Sequence, residues 1–121
     1  MVVYVGTAGY SYPAWVGGFY PAGTKSDGML PYYARHFPAV EVNSSFYRPP
    51  TVAQVGKMVR KVPAGFAFSL KVPRSASHDF DAAELPAFRQ AAEAVQAEGR
   101  LLGVLVQVAE SFNNGAPALP G

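Results

Sequence analysis

The sequence predicts an α/β chain built on parallel strands, and three observations carry that expectation. Four short runs rich in branched and aromatic residues stand at 2–6, 40–43, 67–72 and 103–108, the kind of side chain that suits a pleated surface. Three stretches with apolar residues at helical spacing lie between them. Strict alternation then forces parallel pairing, because each crossover must return the chain to the same end before the next strand begins.

The first strand, 2–6, leads into a long segment from Thr7 to Lys25 that carries Tyr10, Tyr12, Trp15, Phe19 and Tyr20. Loops of that length are often functional. Its rings can stack on a ligand at the mouth of the sheet, or they can plug the fold as core. Leu30, Tyr33, Ala34 and Phe37 follow at i, i+3, i+4, i+7 and predict a first helix ending near His36, with Pro31 obscuring its start. The second helix opens at Thr51, where Gln54 three residues on completes a capping box, and Val52, Val55, Val59 and Val62 form its stripe before Pro63. The third runs from about Pro86 through Phe88, Ala92 and Val95 to Gly99, a residue suited to a helix C-terminus.

Period two divides the strands into unlike faces. Val40, Val42, Phe66, Phe68, Leu70, Val72, Val104, Val106 and Val108 form one face and are expected to pack beneath the helices. Glu41, Asn43, Ser69, Lys71 and Gln107 form the other. Ionisable groups on an inner face are costly to desolvate unless paired or open to solvent, so Glu41 and Lys71 are the candidate catalytic residues. Residues late in parallel strands point to the mouth where α/β sheets bind ligands. Within several ångströms of each other, Glu41 and Lys71 would form a carboxylate base beside a cation that anchors an anionic group; the alternative is an ion pair that only fixes register.

The loops after the second and third strands add Ser44, Ser45, Tyr47 and Arg48, then Arg74, Ser77 and His78. Arginines with hydroxyls can bind phosphate, and a histidine can act as acid or base. Thr7, Tyr10, Asn43, Tyr47, Arg48, His78 and Gln107 are therefore the candidate ligand-binding residues. One His beside one Glu is a weak metal signature, so no metal site is expected and the cofactor is left unknown. Phosphate-loop, dinucleotide, nucleophile-elbow and zinc-protease motifs do not occur, which removes support for those chemistries.

The composition is that of a core-forming globular protein: of 121 residues 50% are hydrophobic and 15% charged. Ten Lys and Arg against eight Asp and Glu leave a formal charge of +2, too little for a general pull on nucleic acid. There is no cysteine, hence no disulfide framework or thiol nucleophile. Without a signal-peptide pattern after Met1 or any run of about 18–20 apolar residues, a cytoplasmic protein without membrane association is the expectation.

Several motifs in order are similar to those of the YecE-like family, also known as domain of unknown function 72. They are Gly6-Thr7-Ala8-Gly9-Tyr10-Ser11-Tyr12, Phe19-Tyr20-Pro21, Tyr32-Tyr33-Ala34 with Phe37, Val40-Glu41-Val42-Asn43-Ser44-Ser45-Phe46-Tyr47-Arg48 with Pro50, Phe66 to Pro73 with His78, and Leu102 to Gln107 with Ser111-Phe112. The resemblance implies a TIM-like barrel of unestablished function, with Glu41, Asn43, Lys71, His78 and Gln107 as its characteristic polar positions. Ala8, Tyr10 and Ala109 depart from the family pattern.

A (β/α)8 barrel needs about 250 residues, so the expectation is the N-terminal half of one: about four parallel strands with three intervening helices. A partial barrel domain at 1–112 and an irregular tail at 113–121 follow, as does a truncated or frame-shifted product. Half a barrel exposes its edges, so instability, aggregation or self-association to complete the barrel is expected. The leading functional reading is a barrel enzyme or ligand-binding domain for a small polar or phosphate-bearing ligand, with Glu41 as acid or base, Lys71 as anchor, and Asn43 and Gln107 as orienting groups. The alternatives are a nucleic-acid-binding module using Arg48, Arg74 and the aromatic loop, and a fragment without activity.

Overall fold

A computed structural model of the chain describes residues 2–108. Its strands are β1 (Gly6–Ala8), β2 (Ala39–Val42), β3 (Ala67–Lys71) and β4 (Leu101–Leu105), joined as one parallel sheet in the order β1-β2-β3-β4. Its helices are α1 (Ser26–Tyr33), α2 (Val52–Arg60), α3 (Arg74–Ser77) and α4 (Leu85–Ala97). A doubly wound sheet reverses its strand order at a switch point. Here the order runs one way throughout, and right-handed crossovers in that order put every helix on the same face, as in a barrel wall.

The ladder begins later than the strand pattern predicts. Residues 2–5 are not part of β1: Val2, Val3 and Val5 are exposed, and pairing starts only at Gly6 opposite Ala39. β2 itself begins at Ala39, after Pro38, so the residues before Gly6 have no β2 strand beside them. At the other edge β4 starts at Leu101 and ends at Leu105, whose carbonyl accepts from Val72 N–H at 2.8 Å. Residues 106–108 run past the end of β3. Val104 shares a face with Leu70, as parity predicts, but Val104, Val106 and Val108 are exposed instead of packed under helices. The described chain holds no element beyond β4 to cover them.

The helix stripes are mostly as read. Val55, Val62, Phe88, Ala91 and Val95 are buried where α2 and α4 pack together over Phe68 and Leu70, while Val52 at the outer end of its stripe is exposed. Each large apolar side chain removed from water here stabilises the fold by roughly 1.5–3 kcal/mol. The Thr51–Gln54 capping box is formed, with Thr51 Oγ1 accepting from Gln54 N–H at 3.1 Å and Gln54 Oε1 from Thr51 N–H at 2.9 Å. Gly99 at φ 70° follows α4. Helix α1 starts at Ser26, before the predicted face, and holds Pro31 within it; turns continue it to His36. The short α3 is not visible in the apolar pattern, because one helical turn carries too few residues for a period.

Tyr33 ties α1 to the sheet. Its hydroxyl donates to Ala39 O at 3.0 Å, accepts from Thr7 N–H at 2.8 Å and lies 2.9 Å from Thr7 Oγ1. Gly6 permits this approach, since a Cβ there would sit 2.1 Å from Ala39 O and 3.2 Å from the Tyr33 hydroxyl. Trp15, Phe19 and Tyr20 from the long loop pack against the same core, with Phe19 edge-on to Tyr20 at 4.9 Å. Most of the aromatic loop is therefore core, and Tyr10 and Tyr12 are its members at the mouth.

Candidate functional site

The C-terminal ends of β1, β2 and β3 open into a pocket of about 440 Å³. Tyr10 and Tyr12 wall it on the β1 side, Phe46 and Tyr47 on the β2 side, and Asn43 and Lys71 are its amide and its cation. Gly9 reaches the rim at φ 84° with its N–H donating to Glu41 O at 2.8 Å, and the Tyr12 hydroxyl donates to Ala8 O at 2.5 Å. That turn aims both tyrosines at the mouth.

Ser45 fixes the opposite wall. Fully buried, its hydroxyl lies 2.9 Å from Val42 O and 2.7 Å from Lys71 O and accepts from Lys71 N–H at 3.0 Å. One side chain thus ties the ends of β2 and β3 just past the point where their own ladder stops. The ammonium of Lys71 lies 4.5 Å from the Phe46 ring centre, a cation–π contact, and His78 stands edge-on to the same ring at 5.1 Å. His78 Nδ1 lies 3.0 Å from Ser77 Oγ, which also reaches Pro73 O at 3.2 Å. Asn43 lines the pocket, and its buried Oδ1 has no hydrogen-bond partner among the described residues.

Glu41 lies elsewhere. It is paired in register with Ser69, not Lys71, and two residues of strand separate those levels by roughly 7 Å. It lines a smaller cavity of about 230 Å³ on the inner face, with Tyr4, Ala8, Ser69 and Leu102. Glu41 and Lys71 form no ion pair. The expected pairing of base and anchor is thus replaced by two levels on one face, because parity fixes the side a residue faces and register fixes its height.

The other candidates divide. Tyr10, Asn43 and Tyr47 line the main pocket, and His78 stands behind Phe46. Thr7 is turned into the structural knot with Tyr33, and its hydroxyl donates to Gly9 O at 2.7 Å. Arg48 lines a neighbouring cleft, and Gln107 is exposed beyond β4. Phe46 was not among the candidates; its signals were its place in the family motif Val40 to Arg48 and in a turn directly after a polar-ended strand. Burial raises the Tyr10 phenol above its ordinary value, so it stays a neutral donor and acceptor at physiological pH. Among the described residues no three His, Cys, Asp or Glu side chains come together as a metal site, and no helix is long and apolar enough to cross a membrane.

Comparison with known proteins agrees with the fold. Residues 4–120 match the family model described as Protein of unknown function DUF72. No curated protein matches. The crystal structure of a DUF72 family protein from Thermotoga maritima is similar at a TM-score of 0.78 and 33% identity, over 93% of this chain and 46% of that one. One from Enterococcus faecalis is similar at a TM-score of 0.72 and 26% identity, over 92% of this chain and 41% of that one. This chain spans less than half the length of each. Four parallel strands in consecutive order, the sequence motifs and the match over residues 4–120 together establish that the chain belongs to the DUF72 family, whose function is unknown.

Proposed function

We propose that the pocket at the strand ends binds a small polar ligand, held between Tyr10 and Tyr12 on one wall and Phe46 and Tyr47 on the other. The observation that carries this reading is that Lys71 and Asn43, whose buried Oδ1 has no partner among the described residues, line the same pocket. A buried acceptor left unmade costs about 1–3 kcal/mol, which a hydroxyl or N–H of a ligand recovers. Lys71 supplies a cation for an electron-rich group of that ligand, and the aromatic walls accept its flat face. Glu41, one level deeper on the inner face, is the acid or base in an enzyme version of this reading, reached by a ligand long enough to extend to its cavity.

Saturation-transfer NMR of the chain with a panel of small polar metabolites tests the reading. Binding should weaken about tenfold in both Asn43→Ala and Lys71→Met, while Glu41→Gln should retain binding and lose any turnover. Ligands that bind both pocket variants as well as the unaltered chain would remove Asn43 and Lys71 from the site.

A further inference from the structure

A second cleft adjoins the pocket. It holds about 350 Å³ between α1, the turn after β2 and α2, with Arg48, Lys57 and Lys61 as its charged lining and Leu30 and Met58 as its apolar part. Among the described residues no carboxylate lines it. Tyr10 and Ser44 line both this cleft and the Asn43–Lys71 pocket, so the two are neighbours that share a wall.

Two of the cations repel each other. Lys57 and Lys61 are four apart at the end of α2, a like-charge spacing that costs a few tenths of a kcal/mol. Lys61 has one counter-ion, Asp27 at 3.6 Å, which is itself fully exposed. Among the described residues Arg48 and Lys57 have none, and their side chains make no hydrogen bond there. Gln54, which also lines the cleft, spends its Oε1 on the helix cap, and its amide nitrogen makes no hydrogen bond among the described residues. A cleft lined by donors and lacking acceptor charge is complementary to an anion, and a phosphate brings about two negative charges with three acceptor oxygens.

We infer that the cleft of Arg48, Lys57 and Lys61 holds the phosphate of a small phosphorylated ligand whose polar body occupies the Asn43–Lys71 pocket. The second half of that statement rests on the pocket reading above; the first stands on the cleft alone. A compact phosphate compound fits better than a nucleic acid, because the net charge of the whole chain is only +2 and three of its ten basic residues are gathered in this one cleft.

The test uses inorganic phosphate and the full chain at low ionic strength, read by phosphorus-31 line broadening. The unaltered chain should broaden the line, and Arg48→Gln with Lys57→Gln should weaken phosphate binding by about tenfold or more. Both side chains are solvent-exposed and have no ion-pair partner among the described residues, so an unchanged circular-dichroism melt of the double variant would confirm that folding is untouched. Arg35→Gln, an exposed cation away from the cleft, and Asn43→Ala should leave the broadening as it was. No broadening by the unaltered chain would overturn the phosphate site and leave the pocket reading standing, since the metabolite panel tests that separately. Broadening that survives the double variant but is lost in Lys71→Met would overturn it as well, by moving the anion to the other pocket. Displacement of phosphate by a single-stranded oligonucleotide far more strongly than by ribose 5-phosphate would overturn the compact-ligand assignment.

Discussion

Tyr20 shows how burial sets the chemistry of a single residue in this fold. Fully inaccessible, it donates its hydroxyl to the Tyr10 carbonyl, and burial, with lesser contributions from the nearby Tyr33 and Tyr10, pushes its pKa from 10.0 up to about 12. Because the folded state holds the proton more tightly than the unfolded one, stability from this group is complete below pH 10 and is lost as pH rises towards 12. Alkaline titration should therefore show cooperative unfolding inside that window, with tyrosinate absorbance from Tyr20 rising together with the loss of circular dichroism. Full ionisation of all seven tyrosines near pH 10 in a still-folded chain would contradict it. At the same scale, Asn43 was legible as a polar residue on an inner face. Its missing partner was not, since a side chain's lack of neighbours is a property of the packed structure.

Among the elements, the ends of β2 and β3 depend on Ser45 more than on their own ladder. Ser45→Ala removes the hydroxyl that serves Val42 O, Lys71 O and Lys71 N–H, and should cost about 1–3 kcal/mol for the unmet buried groups. Chemical denaturation measures that loss, and a change well below 0.5 kcal/mol would show that water replaces the hydroxyl. The second helix was readable to its cap because the Thr51–Gln54 pair acts within one turn. Strand limits were less so: β1 and β4 were misplaced by several residues, since a strand ends where its neighbour ends, and the neighbours are remote in sequence.

Among the described residues the sheet has two open edges, β1 and β4. Leu102, Val104, Leu105 and Val106 are exposed at the β4 side, and Val2, Val3, Tyr4 and Val5 at the β1 side. Open parallel edges flanked by apolar side chains are templates for further pairing, and two four-stranded walls supply the eight strands of a closed barrel. The 121-residue chain on its own should therefore associate, seen as concentration-dependent sedimentation. Val104→Lys, on an exposed position, should shift it towards the monomer. A monomer at all accessible concentrations would exclude association through these edges. The expectation of an irregular tail at 113–121 falls outside the described residues.

The alternation of strands and helices, the parallel pairing, the inner placement of Glu41, Asn43 and Lys71 and the cap of α2 were determined by the sequence, because each depends on a period or a spacing of a few residues. Tertiary structure alone decided that Glu41 and Lys71 stand at different heights, that Ser45 locks two strand ends, that Thr7 belongs to a structural knot, and that Arg48 joins Lys57 and Lys61 in a cleft. Register and the juxtaposition of loops are set by contacts between residues far apart in the chain, and no local pattern records them.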